Sequence, residues 1–336
     1  MATIYDIAEL SKTSAATVSY VLNGRGDERR ISKATQERVL AVAERLNYHP
    51  NITARQLKST GKPIIRLAAL WPEFYFEQPL LSVMRAIRDV VRMSLDEIEI
   101  SVHFFTPNNL QELWEKFSPL NYNGIILVGA SMDDLDYISR VQSSVPIVLV
   151  NRAIEGLPSV SIDHAAAGRM ACDLAFQRGE SSVCTIWDTR FHVATNLRRT
   201  AFTQRSQELN MNLSEMQYCT EGSSEDGYKL GLNLVQKGLV KKVIYCNNES
   251  IAKGLLTALD ESEVKVGRDV LLFTTNSGPD SFCRFSSPSI SYIDLRMQEV
   301  FSAALHLCLN IVSRNEDERS VLTIQPKCVF LDSMPE

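Results

Sequence analysis

The chain has 336 residues, of which 45% are hydrophobic and 22% are charged, and its formal net charge is −5 at pH 7; this composition is typical of a globular protein of two or three domains. Its apolar runs are shorter than the about 18 residues of a membrane span, its first 25 residues lack the apolar segment of a signal peptide, and its seven cysteines form no Cys-x-x-Cys pair. We therefore exclude secreted, membrane, collagenous and disordered classes, and expect reduced thiols in a cytoplasmic protein.

The first 48 residues have the pattern of three short helices. Thr3 and Asp6 form a capping box before an apolar stripe of helical spacing. Ser14 caps a second helix, which an Asn-Gly pair closes, and Ser32 caps a third. Two helices that are joined by a tight turn and supported by a third predict a helix-turn-helix.

This helical head and the linker after it are basic, whereas the rest of the chain is acidic. Residues 1–62 hold 10 Lys and Arg against 6 Asp and Glu, and the following residues hold 25 against 34. A basic head on an acidic body favours contact of the head with a polyanion such as nucleic acid. Within the linker, residues 51–58 form a helical pattern of about two turns, which is stable only when it is docked.

From residue 64 onward the pattern alternates between strands and helices. Apolar strands are predicted at 64–70, 98–104, 124–128, 146–150, 183–187, 243–246 and 270–274. Helical patterns lie near 79–94, 108–117, 133–142, 164–178, 195–209, 225–236 and 248–260. This alternation predicts two doubly wound parallel sheets, and the cleft between two such lobes is a natural ligand site.

The second helix has the surface that binding in the major groove of DNA requires. Its apolar residues share one face, and its outer face carries Ala15, Ala16, Thr17, Ser19 and Tyr20. Short side chains let the helix backbone approach base edges, and hydroxyl groups and helix N-termini can bind phosphates. An ordinary amphipathic helix has the same pattern, so this stretch by itself leaves both interpretations open.

Longer runs of the sequence resemble the LacI/GalR family of bacterial transcription regulators. The first matching run is Thr3-Ile4-Tyr5-Asp6-Ile7-Ala8, and further runs lie at 16–19, 21–24, 31–39, 46–51 and 54–58. The resemblance continues more loosely through nearly the whole chain, for example at Asn248-Glu-x-x-Ala252-x-Gly254. Caps, turns and linker agree in register over some fifty residues, so the chain is identified as similar to this family.

The resemblance implies a homodimeric transcription regulator, most simply a repressor, that binds a pseudo-palindromic double-stranded operator and responds to a small-molecule effector. Such a protein is associated with the nucleoid when it is bound to DNA. The resemblance also implies a helix-turn-helix domain at 1–49, a hinge helix and linker at 50–62, and a two-lobed α/β domain like that of periplasmic binding proteins at 63–336. This last domain is expected to bind the effector and to form the dimer.

The DNA contacts that the resemblance implies lie in the head and the hinge. Tyr20 is expected to read bases, whereas Arg29 and Arg30 are expected to contact mainly phosphates. Leu57 is expected to enter the minor groove as an apolar wedge when the hinge folds on the operator; an ordinary core leucine between two domains is the alternative. The full set is Thr3, Ser14, Ala15, Ala16, Thr17, Ser19, Tyr20, Asn23, Arg29, Arg30, Tyr48, Asn51, Ala54, Leu57 and Lys58.

The effector-binding positions of the family fall at the ends of predicted strands, which is where open α/β sheets bind ligands. Phe76 belongs to an aromatic stretch whose sequence differs from that of the family. Core packing explains these aromatic residues as well as stacking on a ligand ring does. The full set is Phe76, Asn151, Arg152, Arg198, Asn248, Glu249 and Asn276.

Three of these positions depart from the family pattern: Asn151 and Asn276 stand where an aspartate is usual, and Glu249 replaces an aspartate. A carboxylate accepts hydrogen bonds from sugar hydroxyls and repels anions, whereas an amide both donates and accepts. Because Arg198 is retained, we expect an anionic or amide-like effector, such as a sugar phosphate or sugar acid, rather than a neutral hexose. Glu249 and Asp163 would restore negative charge if they point inward.

Catalytic motifs are missing from the sequence. It contains no Gly-x-Ser-x-Gly, Walker A or His-Glu-x-x-His motif, and its five histidines do not stand at metal-ligand spacing. We therefore expect no enzyme, no cofactor and no metal. A periplasmic solute-binding protein and a sugar- or nucleoside-processing enzyme are the rival interpretations of the two-lobed body. The operator sequence, the effector, its direction of action and the choice between dimer and tetramer stay open at this stage.

Overall fold

The computed structural model describes residues 4–22, 26–46, 64–73, 77–114, 117, 121–141, 143, 145–179, 183–189, 193–211, 216–219, 221–314 and 319–335. These residues form a small helical head and a body of two α/β lobes. Among them, no helix is long and apolar enough to cross a membrane. The described cysteines whose side chains can be placed are free thiols: Cys172, Cys184, Cys246, Cys283, Cys308 and Cys328.

The head consists of three helices, α1 (Ile4–Ser11), α2 (Ala15–Leu22) and α3 (Lys33–Arg45). The predicted caps are present at two of them: the hydroxyl of Ser14 accepts the backbone N–H of Thr17 at 3.0 Å, and that of Ser32 accepts the N–H of Thr35 at 3.3 Å. The helices pack on one another through a few small apolar side chains. The described buried ones are Ile7, Ala8, Val18, Val21, Val39, Val42 and Ala43.

The body alternates strands and helices along the chain. Its first half contains β1 (Ile64–Pro72), α4 (Glu77–Met93), β2 (Glu97–Phe105), α5 (Leu110–Trp114), β3 (Gly124–Val128), α6 (Met132–Arg140), β4 (Ile147–Val150), β5 (Ser159–Ile162) and α7 (His164–Gly179). The next part contains β6 (Val183–Asp188), α8 (Val193–Glu208), β7 (Met216–Cys219), α9 (Ser224–Gln236), β8 (Val243–Cys246) and α10 (Glu249–Glu261). The last part contains β9 (Leu271–Asn276), α11 (Ser281–Arg284), β10 (Ser291–Asp294), α12 (Met297–Arg314), β11 (Val321–Ile324) and β12 (Lys327–Val329).

The strands form two sheets, one in each lobe. The first has the order β11-β5-β4-β3-β1-β2 and is parallel throughout. The second has the order β12-β10-β9-β8-β6-β7 and is parallel except at β12, which pairs antiparallel with β10. The predicted fold class, a helix-turn-helix domain with a two-lobed α/β domain, is therefore confirmed.

The described chain passes between the lobes after β5, after β10 and after β11. Because of these crossings, the carboxyl ends of strands from both sheets face a shared cleft. Beneath the second lobe's edge of the cleft lie the rings of Trp187, Phe202, Tyr245 and Phe273, with neighbouring centroids 5.0–5.9 Å apart. All four are buried. This aromatic layer fixes the ends of β6, β8 and β9, which carry the polar residues of the cleft.

Candidate functional site

The cleft between the lobes holds a cavity of about 60 Å³, which has room for roughly five water molecules. The first lobe lines it with side chains from the N-terminus of α4 and the ends of β4 and β5, among them the amide of Asn151, and the second lobe supplies most of the polar groups. The lining residues are Pro79, Asn151, Ile162, His164, Asp188, Ala194, Thr195, Arg198, Asn247, Asn248, Glu249, Thr275, Ser277, Leu295 and Met297.

A buried pair of Arg198 and His164 lies at the centre of this lining. Arg198 Nη1 donates to His164 Nδ1 at 3.2 Å, and Nη2 donates to Thr195 Oγ1 at 3.3 Å. A guanidinium group has no acceptor, so Nδ1 of His164 must accept and the ring proton must lie on Nε2. Burial, with the charges of Arg198 and Arg152 as smaller causes, holds the pKa of His164 well below its usual value. His164 is therefore a neutral ring that presents an N–H group to its surroundings.

Gly168 allows Arg198 to reach this position. A Cβ atom on Gly168 would lie 2.2 Å from the backbone oxygen of Arg198. Helices α7 and α8 therefore approach each other backbone to backbone, at a distance that only glycine permits. This approach carries the guanidinium group of Arg198 into the cleft beside His164, which begins α7.

Asp188 and Asn247 form a reciprocal pair at the ends of β6 and β8. The Asn247 amide donates to Asp188 Oδ2 at 2.8 Å, and its oxygen accepts the backbone N–H of Asp188 at 3.1 Å. Both residues are 1% exposed. The pair locks the orientation of the carboxyl group, and it leaves Asp188 Oδ1 without a described partner.

Asn248 and Glu249 begin helix α10 at the same edge of the cleft. Asn248 caps the helix, since its Oδ1 accepts the N–H of Ile251 at 2.9 Å. Glu249 is 3% exposed and accepts a hydrogen bond from the hydroxyl of Ser277 at 3.2 Å. Burial raises the pKa of its carboxyl group, although hydrogen bonds from its own N–H and from Ser277 and Gly278 oppose this shift. The helix N-terminus thus offers an amide and a buried carboxyl group.

The structure brings together four of the described residues proposed for effector binding: Asn151, Arg198, Asn248 and Glu249 all line the cavity. Asn151 has a φ of 58°, a left-handed conformation that asparagine tolerates, and its Oδ1 accepts the N–H of Ile162 at 3.0 Å. Its side chain therefore ties β4 to β5 as well as facing the cleft.

The other proposed residues lie beside the cavity or outside the described residues. Arg152 lies against the first lobe, where it donates to the carbonyl groups of Gly129, Ala130 and Asn151. Asn276 is buried and donates to the carbonyl of Gly278 at 2.9 Å. Phe76 lies outside the described residues.

Sequence reasoning missed part of the polar lining. His164, which was considered from the sequence only as a metal ligand and set aside, lies in the cavity wall, and Asp188, Thr195 and Asn247 were not proposed. Asp188 ends β6 and Asn247 follows β8 directly, so the rule that ligands bind at strand ends would have found both. Asp163 does not line the cavity, since its Oδ1 caps α7 by accepting the N–H of Ala166 at 2.7 Å.

We expect His164 to make the body less stable in mild acid. The pKa of His164 is lower in the folded chain than in the unfolded chain. Below about pH 6.5 the unfolded chain therefore binds a proton at this residue that the folded chain does not bind, and the stability falls as the pH falls. The loss can reach about 1.4 kcal/mol per pH unit. In urea titrations at pH 7.5 and 5.5, His164→Gln should flatten this dependence. The same substitution at the exposed His306 is the control, and an unchanged pH dependence in His164→Gln would contradict the assignment.

The described part of the head presents the outer face of α2 to solvent. Ser14 and Ala16 are exposed, and Ala15, Thr17, Ser19 and Tyr20 are partly exposed. Arg29 and Arg30 are exposed in the loop after α2, and the Arg29 guanidinium lies 4.7 Å from the centre of the Tyr20 ring. This cation–π contact joins two of the proposed DNA-contacting side chains into one surface. Outside the described residues lie Thr3, Asn23, Tyr48, Asn51, Ala54, Leu57 and Lys58.

Metal chemistry has no candidate in the part of the chain that the structure describes. Within it, no three His, Cys, Asp or Glu side chains are grouped so that they could hold an ion.

Comparisons with known proteins cover both parts of the chain. The family model described as "Bacterial regulatory proteins, lacI family" matches residues 3–51, and that described as "Periplasmic binding protein-like domain" matches residues 176–334. A curated relative, the HTH-type transcriptional repressor PurR of Haemophilus influenzae, is 23% identical in an alignment of 343 positions that covers 99% of each chain.

Solved structures show the same fold. A LacI family transcription regulator from Clostridium acetobutylicum superposes with a TM-score of 0.73 at 18% identity, covering 79% of this chain and 99% of that one. The lac repressor dimer bound to operator and the anti-inducer ONPF superposes with a TM-score of 0.67 at 19% identity, covering 100% of this chain and 99% of that one. Head, cleft and both lobes therefore have counterparts in known proteins.

Proposed function

The chain belongs to the LacI family of bacterial regulatory proteins, and from this we propose that it is a repressor whose affinity for its operator is set by a small molecule bound in the cleft. It is a DNA-binding transcription regulator and not an enzyme, as its named relative is a transcriptional repressor. One observation carries the proposal: a helix-turn-helix head is joined to a body whose interlobe cavity is lined with buried, unpaired polar groups. Such groups are costly unless a ligand satisfies them.

The domain limits follow from this proposal. Residues 1–49 bind DNA, residues 50–62 are the hinge and linker, and residues 63–336 bind the effector and form the dimer. The proposed DNA-contacting residues of the hinge, with Leu57 as the minor-groove wedge, act only when the hinge helix is folded on the operator. The protein works in the cytoplasm, where it meets its operator.

The body offers a surface for the second subunit of a homodimer. Leu81 and Met84 lie on one side of α4 and are 54% and 38% exposed, and Phe285 of the second lobe is 81% exposed. Leu81 and Met84, one turn apart on the same helix, form an exposed apolar pair of the kind that favours association with a partner surface. Two heads held in this way read two half-sites about one helical turn apart, so the proposed operator is a pseudo-palindrome.

The proposed effector is an anionic or amide-like sugar derivative. Arg198 supplies a buried positive charge, and Asn151 offers an amide where a carboxylate would repel an anion. Arg152 adds its charge only at a distance, because its side chain lies against backbone carbonyls. An effector of sugar size also exceeds the cavity of about 60 Å³, so its binding requires movement of the lobes or of lining side chains. That movement is the proposed signal to the head.

Selection of bound duplexes from a random DNA pool tests the proposed function directly. The full-length protein should enrich a pseudo-palindrome, and its affinity for that site should fall steeply with salt because phosphate contacts release counterions. Failure to enrich any sequence, with the protein folded, would reject the proposed function.

Tyr20→Ala should change which sequences are selected, since the ring lies on the outer face of α2 and discrimination at one base pair is worth about 1–3 kcal/mol. Arg29→Ala should instead weaken binding to all sequences and lower the salt slope by about one unit. Selection followed by sequencing, with anisotropy titrations at several salt concentrations, measures both effects. If Tyr20→Ala selects the same site with the same preferences, the base-reading role is wrong.

A further inference from the structure

Unpaired polar atoms of the cleft are concentrated on four side chains. His164 Nε2, Arg198 Nε, Asn248 Nδ2 and Asp188 Oδ1 have no described hydrogen-bond partner, and all four residues line the same cavity. Their exposed fractions are 6%, 6%, 8% and 1%. Buried polar groups in folded proteins are almost always paired, so four unpaired atoms around one cavity indicate the groups of a ligand that belongs there.

The hydrogen-bonding role of each atom follows from its neighbours. His164 Nδ1 accepts from Arg198, so Nε2 carries the proton and donates. Asn248 uses its oxygen to cap α10, so its free Nδ2 donates, and Nε of a guanidinium group can only donate. Asp188 uses Oδ2 to accept from Asn247, so its free Oδ1 accepts. The cavity thus offers three donors and one acceptor.

The charges of the lining favour an anion on the donor side. Arg198 is the positive group among the described lining residues. The Glu249 carboxyl group is turned to Ser277, from which it accepts a hydrogen bond, and burial raises its pKa, which reduces its opposition to an anion. Asp188 acts differently, because Asn247 holds its carboxylate in one orientation with Oδ1 unpaired. Oδ1 repels an anion that carries no hydrogen-bond donor, and it accepts a hydrogen bond from an anion that carries one.

We propose that the effector of the proposed cleft is a hydroxy acid: its carboxylate accepts hydrogen bonds from Arg198, His164 and Asn248, and a neighbouring hydroxyl group donates to Asp188. This inference rests on the proposed function and deepens it, because it makes Asp188 and His164 determinants of specificity. Asp188 rejects plain carboxylates, and the three donors reject plain alcohols. Sugar acids that carry a hydroxyl group beside the carboxylate fall within this class.

Three small probes separate these contributions in the full-length protein. Glycolate carries both groups, acetate lacks the hydroxyl, and ethylene glycol lacks the carboxylate. Glycolate has five non-hydrogen atoms, which suits a cavity of about 60 Å³ with room for roughly five water molecules. Thermal shift titrations at constant ionic strength, with chloride as the balancing anion, should show a saturable stabilisation by glycolate. The half-maximal concentrations of acetate and ethylene glycol should be at least tenfold higher.

Variants of the proposed contacts make the test specific. Asp188→Asn removes the repelling charge and supplies an N–H group, so acetate should bind as well as glycolate does. Arg198→Lys should abolish stabilisation by glycolate because lysine cannot replace Nε–H. Asp294→Asn, at the end of β10 and outside the cavity lining, is the control and should behave as wild type. If Asp188→Asn does not fold, His164→Phe is the second test. It should lower the affinity for glycolate at least tenfold because it removes one hydrogen-bond donor.

The outcomes decide the proposal without depending on operator binding. Equal responses of the wild type to all three probes, no saturable response to glycolate, or unchanged discrimination in Asp188→Asn would each overturn it. Each variant is also titrated with the selected operator. If the wild type binds operator but the probes fail as described, the hydroxy-acid inference fails alone, whereas a wild type that selects no DNA contradicts the proposed function itself.

Discussion

Val39→Asn is expected to abolish operator binding while leaving the two-lobed body folded. Val39 is fully buried at the centre of the head, where α3 packs on α1 and α2. The substitution removes apolar burial and places an unpaired amide in the core, at a cost of about 3–5 kcal/mol. A domain of fewer than about 50 residues has only marginal stability, so this loss unfolds the head. Anisotropy titration with the selected operator measures the effect.

Leu40→Asn is the matched control, because Leu40 follows directly in the same helix and is 50% exposed. It introduces the same side chain without burying it, so operator affinity should stay within about threefold of wild type. The thermal transition of the body should be the same in both variants. Retained operator binding by Val39→Asn would mean that the head does not depend on this core, and loss of binding in both variants would mean that burial at Val39 is not the cause.

The head was the part most readily predicted from sequence, because its signals are local. Ser14 and Ser32 cap helices where the sequence placed them, and α2 runs over Ala15–Leu22 as the apolar spacing predicted. Capping and helical periodicity act within a few residues, and no distant partner is needed to interpret them. Strands β1, β3 and β4 of the first lobe were predicted for the same reason, since they are largely apolar runs, whereas β5 of the same sheet was missed.

Elements that depend on distant partners were missed. The β11 strand has three exposed residues and forms only by pairing with β5, far earlier in the chain. Likewise β12 is three residues long and pairs antiparallel with β10. Helix α12 (Met297–Arg314) was not predicted either, although it covers β3, β4 and β5 of the first lobe. Short edge strands carry too little apolar pattern to be recognised before their neighbours are known.

The residues of the site likewise divide into those that could be predicted from sequence and those that depend on distant partners. Asn151, Arg198, Asn248 and Glu249 were proposed from the family resemblance and line one cavity. His164 and Asp188 were not proposed. Asp188 ends β6 and was open to the strand-end rule, but nothing in the local pattern shows that the residue beginning α7 lines the same cavity. Their role depends on the packing of α7 against α8 at Gly168 and on the pairing of β6 with β8.

A close approach of two helices also determines the geometry of the second lobe. In α10, a Cβ atom on Gly254 would lie 1.8 Å from the backbone oxygen of Ser224 in α9. A Cβ on Gly227 would lie 2.2 Å from the backbone oxygen of Ile251. Both obstacles are backbone atoms, so no change of side-chain rotamer relieves them. A larger residue at Gly254 therefore separates the helices along their contact.

Gly254→Ala should lower the stability of the body by about 3 kcal/mol or more, since overpacking is costly when the neighbour cannot move. For a body of this size that is a fall in the melting temperature of about 6–12 °C. Helix α10 begins at Asn248 and Glu249, so its displacement should also weaken effector binding. Calorimetry of the full-length protein measures the stability, and glycolate titration measures the cleft.

Gly238→Ala distinguishes this mechanism from the general cost of replacing a glycine. Gly238 follows α9, has a φ of 64° and has no other atom within 4 Å of an added Cβ. Both variants reduce the freedom of the unfolded chain equally, and alanine at a left-handed position costs about 1–2 kcal/mol. Gly254→Ala should therefore be the more destabilised of the two, and it alone should lose affinity for glycolate. Equal melting temperatures would show that α9 and α10 can separate without cost, so that the close contact at Gly254 does not hold the cleft in place.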